Sequence, residues 1–167
     1  MLLKLLILPV LPLTLLVGNL ESSDDYYKGF RAYQKGNFAI ALYEWKPLAE
    51  QGDARSQYNL GEMYRRGEGV SKNDKTAFNW YTLSAKQGNS NAQFNLGLMY
   101  LKGKGVTQGY GKAVKWFRKA AIQGVAIAQF GLGMMYDKGS GVTQDYNEAV
   151  TWYRKAAKQG FARAQHN

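Results

Sequence analysis

The chain has no cysteine. A disulfide framework, a thiolate metal site and a cysteine nucleophile are therefore excluded, and packing alone must hold the fold. Histidine is nearly absent too: His166 is the only one, next to the last residue. A catalytic histidine needs an orienting group and a pocket, and a metal site gathers several ligands, so no catalytic residue, cofactor or metal site is read here. Of the 3 prolines, Pro9 and Pro12 lie near the start and only Pro47 interrupts the body, which leaves it free to be helical. Acids are missing from one long stretch. None occurs between Asp74 and Asp137, where Lys75, Lys86, Lys102, Lys104, Lys112, Lys115, Arg118 and Lys119 stand. A stretch of one sign sets up a positive field that favours anionic partners, and its ordinary alternative is a solvated outer face.

What is present begins with a distinct leader. Lys4 is its only charge, and Leu5 to Val17 is apolar apart from Thr14. A basic start followed by such a run is the pattern of a secretion signal over residues 1–20, and it implies export to the periplasm or beyond. The run is shorter than the roughly 20 residues of a membrane span, and its two prolines argue against one. Gly18 is a fair residue before a cleavage point, but Leu16 is larger than the small-residue rule prefers, so an uncleaved anchor stays open. The leader takes one of the 22 basic residues and none of the 12 acids, so the body stays strongly basic.

The body repeats. Gln51-Gly52 returns as Gln87-Gly88, Gln123-Gly124 and Gln159-Gly160, each 36 positions after the last, and Tyr64, Tyr100 and Tyr136 keep the same step. So do Trp80, Trp116 and Trp152. A fixed period of this size means stacked units, because one unit cannot bury its apolar face alone. Within one unit Ser90 can cap a helix, and Ala92, Leu96, Met99 and Tyr100 make its apolar stripe. Gly97 sits beside that stripe, as Gly61 and Gly133 do in the other units. Glycine inside a helix costs roughly 1 kcal/mol against alanine, so its return calls for close approach of a neighbouring helix. Gly103-Lys104-Gly105-Val106 then turns the chain. A second helix starts near residue 110, capped by Asn73 or an Asp145/Glu148 capping box in the sister units, with Ala113, Trp116, Phe117, Ala120 and Ala121 as its buried stripe. Helix, turn, helix, turn predicts an all-α, right-handed solenoid with a concave and a convex face. Upstream, Asp24 to Gln34 and Phe38 to Glu50 read as one more helical pair over 21–51, capping the array. Its Trp45 falls one place later than the 36-residue step from Trp80, and Pro47 should bend or shorten the second helix.

The run Ala92-Gln93-Phe94-Asn95-Leu96-Gly97-Leu98-Met99-Tyr100, with Gly103, Gly105 and Val106 and then Lys112, Ala113, Trp116, Phe117, Ala120, Ala121, Gln123 and Gly124, resembles a Sel1-like repeat, a relative of the tetratricopeptide repeat. The resemblance holds over residues 52–87, 88–123 and 124–159, and a fourth unit begins over 160–167. It implies a non-enzymatic scaffold or adaptor that binds other proteins, in a family that includes exported bacterial proteins. A cysteine-rich branch associated with β-lactams carries a Cys pair in each repeat, and this chain has none.

The glycines at Gly103, Gly105, Gly109 and Gly111 lack both the spacing and the preceding strand of a phosphate loop and read as turn chemistry. Asp137, Asp145 and Glu148 read as helix-end residues before they read as paired catalytic acids. The concave face is the functional candidate. By analogy with tetratricopeptide packing the first helices line it, which brings forward Tyr58, Phe94 and Phe130, then Glu62, Leu98 and Met134, then Arg65 and Leu101, edged by Lys102. Arg55, Asn91 and Ile127 extend this set, and Asn59 and Asn95 are placed to reach a peptide backbone. Such a strip suits a peptide segment of a protein partner. Its alternative is that Tyr58, Phe94 and Phe130 pack between helices. No specific nucleic acid is expected, because Trp116 and Phe117 belong to the buried stripe rather than to the basic face. The second reading is a basic, envelope-associated protein that holds anionic surfaces or polyanions, touching a membrane only through the leader or the basic patch.

Overall fold

The structure, a computed structural model, describes the backbone of residues 13–161 and side chains from residue 23 onward. The first twelve residues of the proposed leader, and the last six of the chain with His166, lie outside the described residues. Eight α-helices and no strand occur among the described residues: α1 (Leu13–Gln34), α2 (Phe38–Glu50), α3 (Ala54–Arg66), α4 (Asp74–Lys86), α5 (Ser90–Lys102), α6 (Tyr110–Ile122), α7 (Ala126–Lys138) and α8 (Tyr146–Lys158). Each packs on its neighbours in the chain, and the product is a right-handed α-solenoid. None of these helices is long and apolar enough to cross a membrane. α1 runs without a break across residue 20, where the proposed leader ends.

Short polar side chains cap the starts of α3, α4, α5 and α8. Asp53 accepts from the Ser56 N–H at 2.7 Å, Asn73 from Thr76 at 2.9 Å, and Asn89 from Ala92 at 2.9 Å. The cap of α5 is therefore Asn89, and Ser90 is the first helical residue. Asp145 accepts from the N–H groups of Asn147 and Glu148, but Glu148 does not close a capping box. Its carboxylate accepts instead from the Trp152 indole N–H at 3.1 Å. Pro47 does not shorten α2, which keeps the same 13 residues as α3.

The recurring helical glycines have a steric cause. A Cβ on Gly61 would stand 2.6 Å from the Tyr81 ring, on Gly97 2.5 Å from Phe117 and on Gly133 2.7 Å from Tyr153. Each ring comes from the second helix of the same unit and fills the space the glycine leaves, so first and second helices approach closely. Gly29 and Trp45 make the same pair at 2.6 Å. Trp45 is thus the partner of Tyr81, not of Trp80. The glycine and its ring are 20 residues apart in the three repeats and 16 in the first pair, because the turn between α1 and α2 is four residues shorter. The deletion takes Gly29 off the 36-residue step from Gly61, while Trp45 stays on it, 36 residues before Tyr81. In the longer turns, Gly105 (φ +67°) lets the backbone lie on the start of α4, since a Cβ there would be 2.3 Å from the Asp74 carbonyl oxygen.

The repeated glutamine ties the end of each unit back to its own first helix. Gln87 donates to the Gln57 side-chain oxygen at 2.8 Å and to the Gly52 carbonyl at 2.9 Å, while buried Gln57 donates to the Ala49 carbonyl at 3.0 Å. Gln123 with Gln93, and Gln159 with Gln129, repeat the side-chain link. The Gln57, Gln93 and Gln129 amides reach back to the last-turn carbonyls of Ala49, Ala85 and Ala121, adding a second bond to those accepted from the Gly52, Gly88 and Gly124 N–H groups.

The face of the first helices

Glu62 organises one face of the solenoid. It lies on α3, only 8% exposed, and takes hydrogen bonds from three elements. Its carboxylate accepts from the Tyr81 hydroxyl at 2.5 Å, Arg65 at 2.6 Å, Arg66 at 3.0 Å and the Asn95 side-chain amide at 2.8 Å. Arg65 also donates to the Tyr81 oxygen at 3.2 Å. Burial pushes the Glu62 carboxyl up, but the bonds from Arg65 and Tyr81 and the charges of both arginines outweigh it and hold the group below the usual carboxylate range. The same contacts raise the Tyr81 hydroxyl, by burial first and then by the adjacent carboxylate. This network belongs to the first repeat alone. One step on, the positions of Glu62, Arg65 and Tyr81 hold Leu98, Leu101 and Phe117, an apolar set. Two steps on they hold Met134, Asp137 and Tyr153, whose hydroxyl is pushed up by burial and by the Asp137 charge.

Glu62 stands between two clefts. One, of about 160 Å³, is lined by Tyr33, Trp45, Tyr58, Asn59, Glu62 and Arg66. Tyr33 donates to Glu68 at 2.6 Å beside it, and burial together with that carboxylate pushes the Tyr33 hydroxyl up to about 12. The other, of about 140 Å³, lies between α3 and α5, where Arg65, Lys102 and Lys104 stand over Leu98 and Met99.

Tyr58, Phe94 and Phe130 are half-buried, with ring centroids 6.0, 5.8 and 5.4 Å from Tyr81, Phe117 and Tyr153. They therefore pack on the rings that fill the glycine gaps while staying part of the face. Leu98, Leu101 and Met134 are half-buried, and Ile127, Asn91 and Lys102 are exposed. Arg55 lies over the Tyr26 ring, 4.1 Å from its centroid. Asn59 and Asn95 do not hold their amide N–H groups free for a peptide. Asn95 bonds to Glu62, and Asn59 donates to the Tyr26 hydroxyl at 3.4 Å, so both tie neighbouring first helices together. Sequence reasoning missed Lys72 and Lys104, which reach the second cleft from the turns, and Asp74, which reaches it from the first position of α4. On the opposite face Trp116 is half-buried rather than fully enclosed, and the Lys119 ammonium sits 5.0 Å above its ring. Lys155 covers Trp152 in the same way at 4.3 Å.

A stack of helical pairs with a clefted face and glycine-packed interior defines a helical-repeat scaffold. The chain belongs to the Sel1 repeat family, whose model matches residues 54–89, 90–125 and 126–161. Repeats of this family generally serve as protein-interaction scaffolds, and the fold is typically non-enzymatic. A Sel1 repeat protein from Oxalobacter formigenes is 40% identical, with a TM-score of 0.78 over 81% of this chain and 56% of that one. A protective antigen of uropathogenic Escherichia coli, displaying an SLR fold, is 38% identical, with a TM-score of 0.83 over 93% of this chain and 35% of that one. An exopolysaccharide production negative regulator of Rhizobium leguminosarum bv. viciae is 37% identical over 59 residues, which is 35% of this chain and 22% of the relative. The chain thus spans about a fifth of the length of that curated relative.

Proposed function

We propose that the chain is an exported scaffold that holds a peptide segment of a partner protein along the concave face of its first helices. The observation that carries this reading is the pair of clefts on either side of Glu62, continued by half-buried Leu98, Leu101 and Met134 and by exposed Ile127. Half-buried apolar groups that are already fixed in place lose little entropy when a partner covers them. Export rests on Lys4 and the apolar run from Leu5 to Val17. N-terminal sequencing of the protein recovered outside the cytoplasm tests that part.

Peptides selected from a random displayed library against the full chain test the face itself. Titrated into isotopically labelled protein, they should shift the amide signals of Leu98, Leu101 and Met134. Shifts confined to α4, α6 and α8 would refute the assignment. A second reading, contact with anionic surfaces, is favoured by the acid-free stretch between Asp74 and Asp137. Its mark is binding to anionic vesicles that disappears as salt rises.

A further inference from the structure

We infer that the cleft between α3 and α5 takes an acidic segment, with carboxylates beside Arg65, Lys72, Lys102 and Lys104 and an aliphatic side chain on Leu98. This rests on the peptide-binding reading of the face and names the chemistry of its occupant. Four cations and one acid, Asp74, line the cleft. Counting the adjoining Glu62 and Arg66 gives five cations against two acids, so the excess survives the internal ion pairs. Lys72, Lys102 and Lys104 have no carboxylate partner within ion-pair distance among the described residues.

Helix-end electrostatics explain only part of this. Arg65, Arg66 and Lys102 occupy the last turns of α3 and α5, where cations complement the helix carboxyl ends. Lys72 and Lys104 lie in turns and have no such role. The sister repeats show what Lys72 replaces. The corresponding residues are Gln108 and Gln144, whose amides donate to the Leu101 and Asp137 carbonyls at 2.8 and 2.7 Å. The position of Lys104 holds Glu68 in one sister and Ser140 in the other. Uncompensated cations therefore gather at this one junction, in place of a glutamine that serves the turn. The Asn95–Glu62 bond spans α3 and α5 and sets the width of the cleft before anything binds. Leu98 and Met99 supply an apolar floor beneath the charge. A fixed gap, an apolar floor and unpaired cations match an acidic segment that carries an aliphatic residue.

The test uses peptides selected from a random displayed library on the full chain, with affinities read by fluorescence anisotropy. The cleft variant is Lys72→Gln with Lys104→Ser, both residues that sister repeats carry. The control is Lys86→Gln with Lys115→Gln, an equal charge loss on exposed positions of α4 and α6. The expected result is peptides with acids flanking an aliphatic residue, weakened about tenfold or more by the cleft variant and less than about twofold by the control. Equal weakening by both variants would overturn the site in favour of a diffuse field. Neutral or basic peptides that lose affinity on Leu98→Ala with Met134→Ala, but not in the cleft variant, would overturn the acidic occupant and leave the peptide-binding face standing. Peptides indifferent to both sets would overturn both. Circular dichroism of every variant separates lost binding from lost fold.

Discussion

The Asn95 side chain on α5 donates to the Glu62 carboxylate on α3 at 2.8 Å, joining two helices that are not consecutive in the chain. The backbone packing of the solenoid runs from each helix to the next, so links of this kind hold the row of first helices together. The same carboxylate anchors Tyr81, Arg65 and Arg66, which makes Glu62 the residue whose loss is felt by the most elements at once.

Replacing Glu62 with alanine should therefore destabilise the protein by about 1–2 kcal/mol. That is less than a fully buried ion pair would cost, since the two guanidinium groups left behind are 40% and 50% exposed and re-solvate. Installing the second repeat's own set, Glu62→Leu with Arg65→Leu and Tyr81→Phe, should cost less than the single change, because no polar partner within the set is stranded. Urea denaturation of the two variants checks the order.

The acid limb of stability should also depend on this group. Its folded value lies below the ordinary carboxylate value of 4.5, so the unfolded chain takes up the proton more readily than the folded one. The contribution is complete above pH 4.5 and is lost as pH falls through the lowered folded value. Glu62→Gln should flatten the fall of Tm over that window. Tyr33 acts at the other end. Its hydroxyl is raised from 10.0 to about 12, so its contribution is complete below pH 10.0 and is lost as pH rises through about 12.

Two glycines on first helices should respond to alanine with opposite sign. At Gly97 the new Cβ would meet Phe117 at 2.5 Å, and overpacking of about 1–3 kcal/mol outweighs the helix-propensity gain. At Gly131 the nearest atoms stand 3.8 Å away and the backbone is helical, so Gly131→Ala should stabilise by about 1 kcal/mol. Sister positions already carry Asn59 and Asn95. Thermal melts of both variants decide it.

Ser56 is fully buried, and its hydroxyl has no hydrogen-bond partner. The sister repeats hold Ala92 and Ala128 there, each at 0% exposure. Ser56→Ala should stabilise by about 1 kcal/mol, the cost of a hydroxyl held dry and unpaired. An unchanged or lowered denaturation midpoint would show that the hydroxyl is satisfied after all.

Much of the fold was legible because stacking leaves marks at fixed intervals. Gly61, Gly97 and Gly133 called for a close neighbour, and the neighbours proved to be Tyr81, Phe117 and Tyr153. Gln87, Gln123 and Gln159 gave the period, but their reason, an amide link back to Gln57, Gln93 and Gln129 on the first helix of the same unit, needs the packed helical pair to be seen. Residue type matches Trp45 to Trp80, whereas Trp45 stands 36 residues before Tyr81 and packs on Gly29 as Tyr81 packs on Gly61; the shortened turn moves Gly29, not Trp45, off the period. Glu148 has the spacing of a capping box, yet a nearby indole N–H takes its carboxylate. The candidate face could be drawn from helical periodicity, whereas the second cleft could not, since Lys72 and Lys104 stand in separate turns.

By itself the sequence determined the repeat, the helical class and the lack of thiol chemistry, since these depend on residue type and on spacing along one chain. The tertiary structure alone decided that Glu62 would be shared by Asn95, Tyr81 and two arginines, and that unpaired cations would gather at one junction. The physical reason is that a period places equivalent residues in equivalent positions, whereas hydrogen bonding and charge balance depend on which unlike residues the stacking brings face to face.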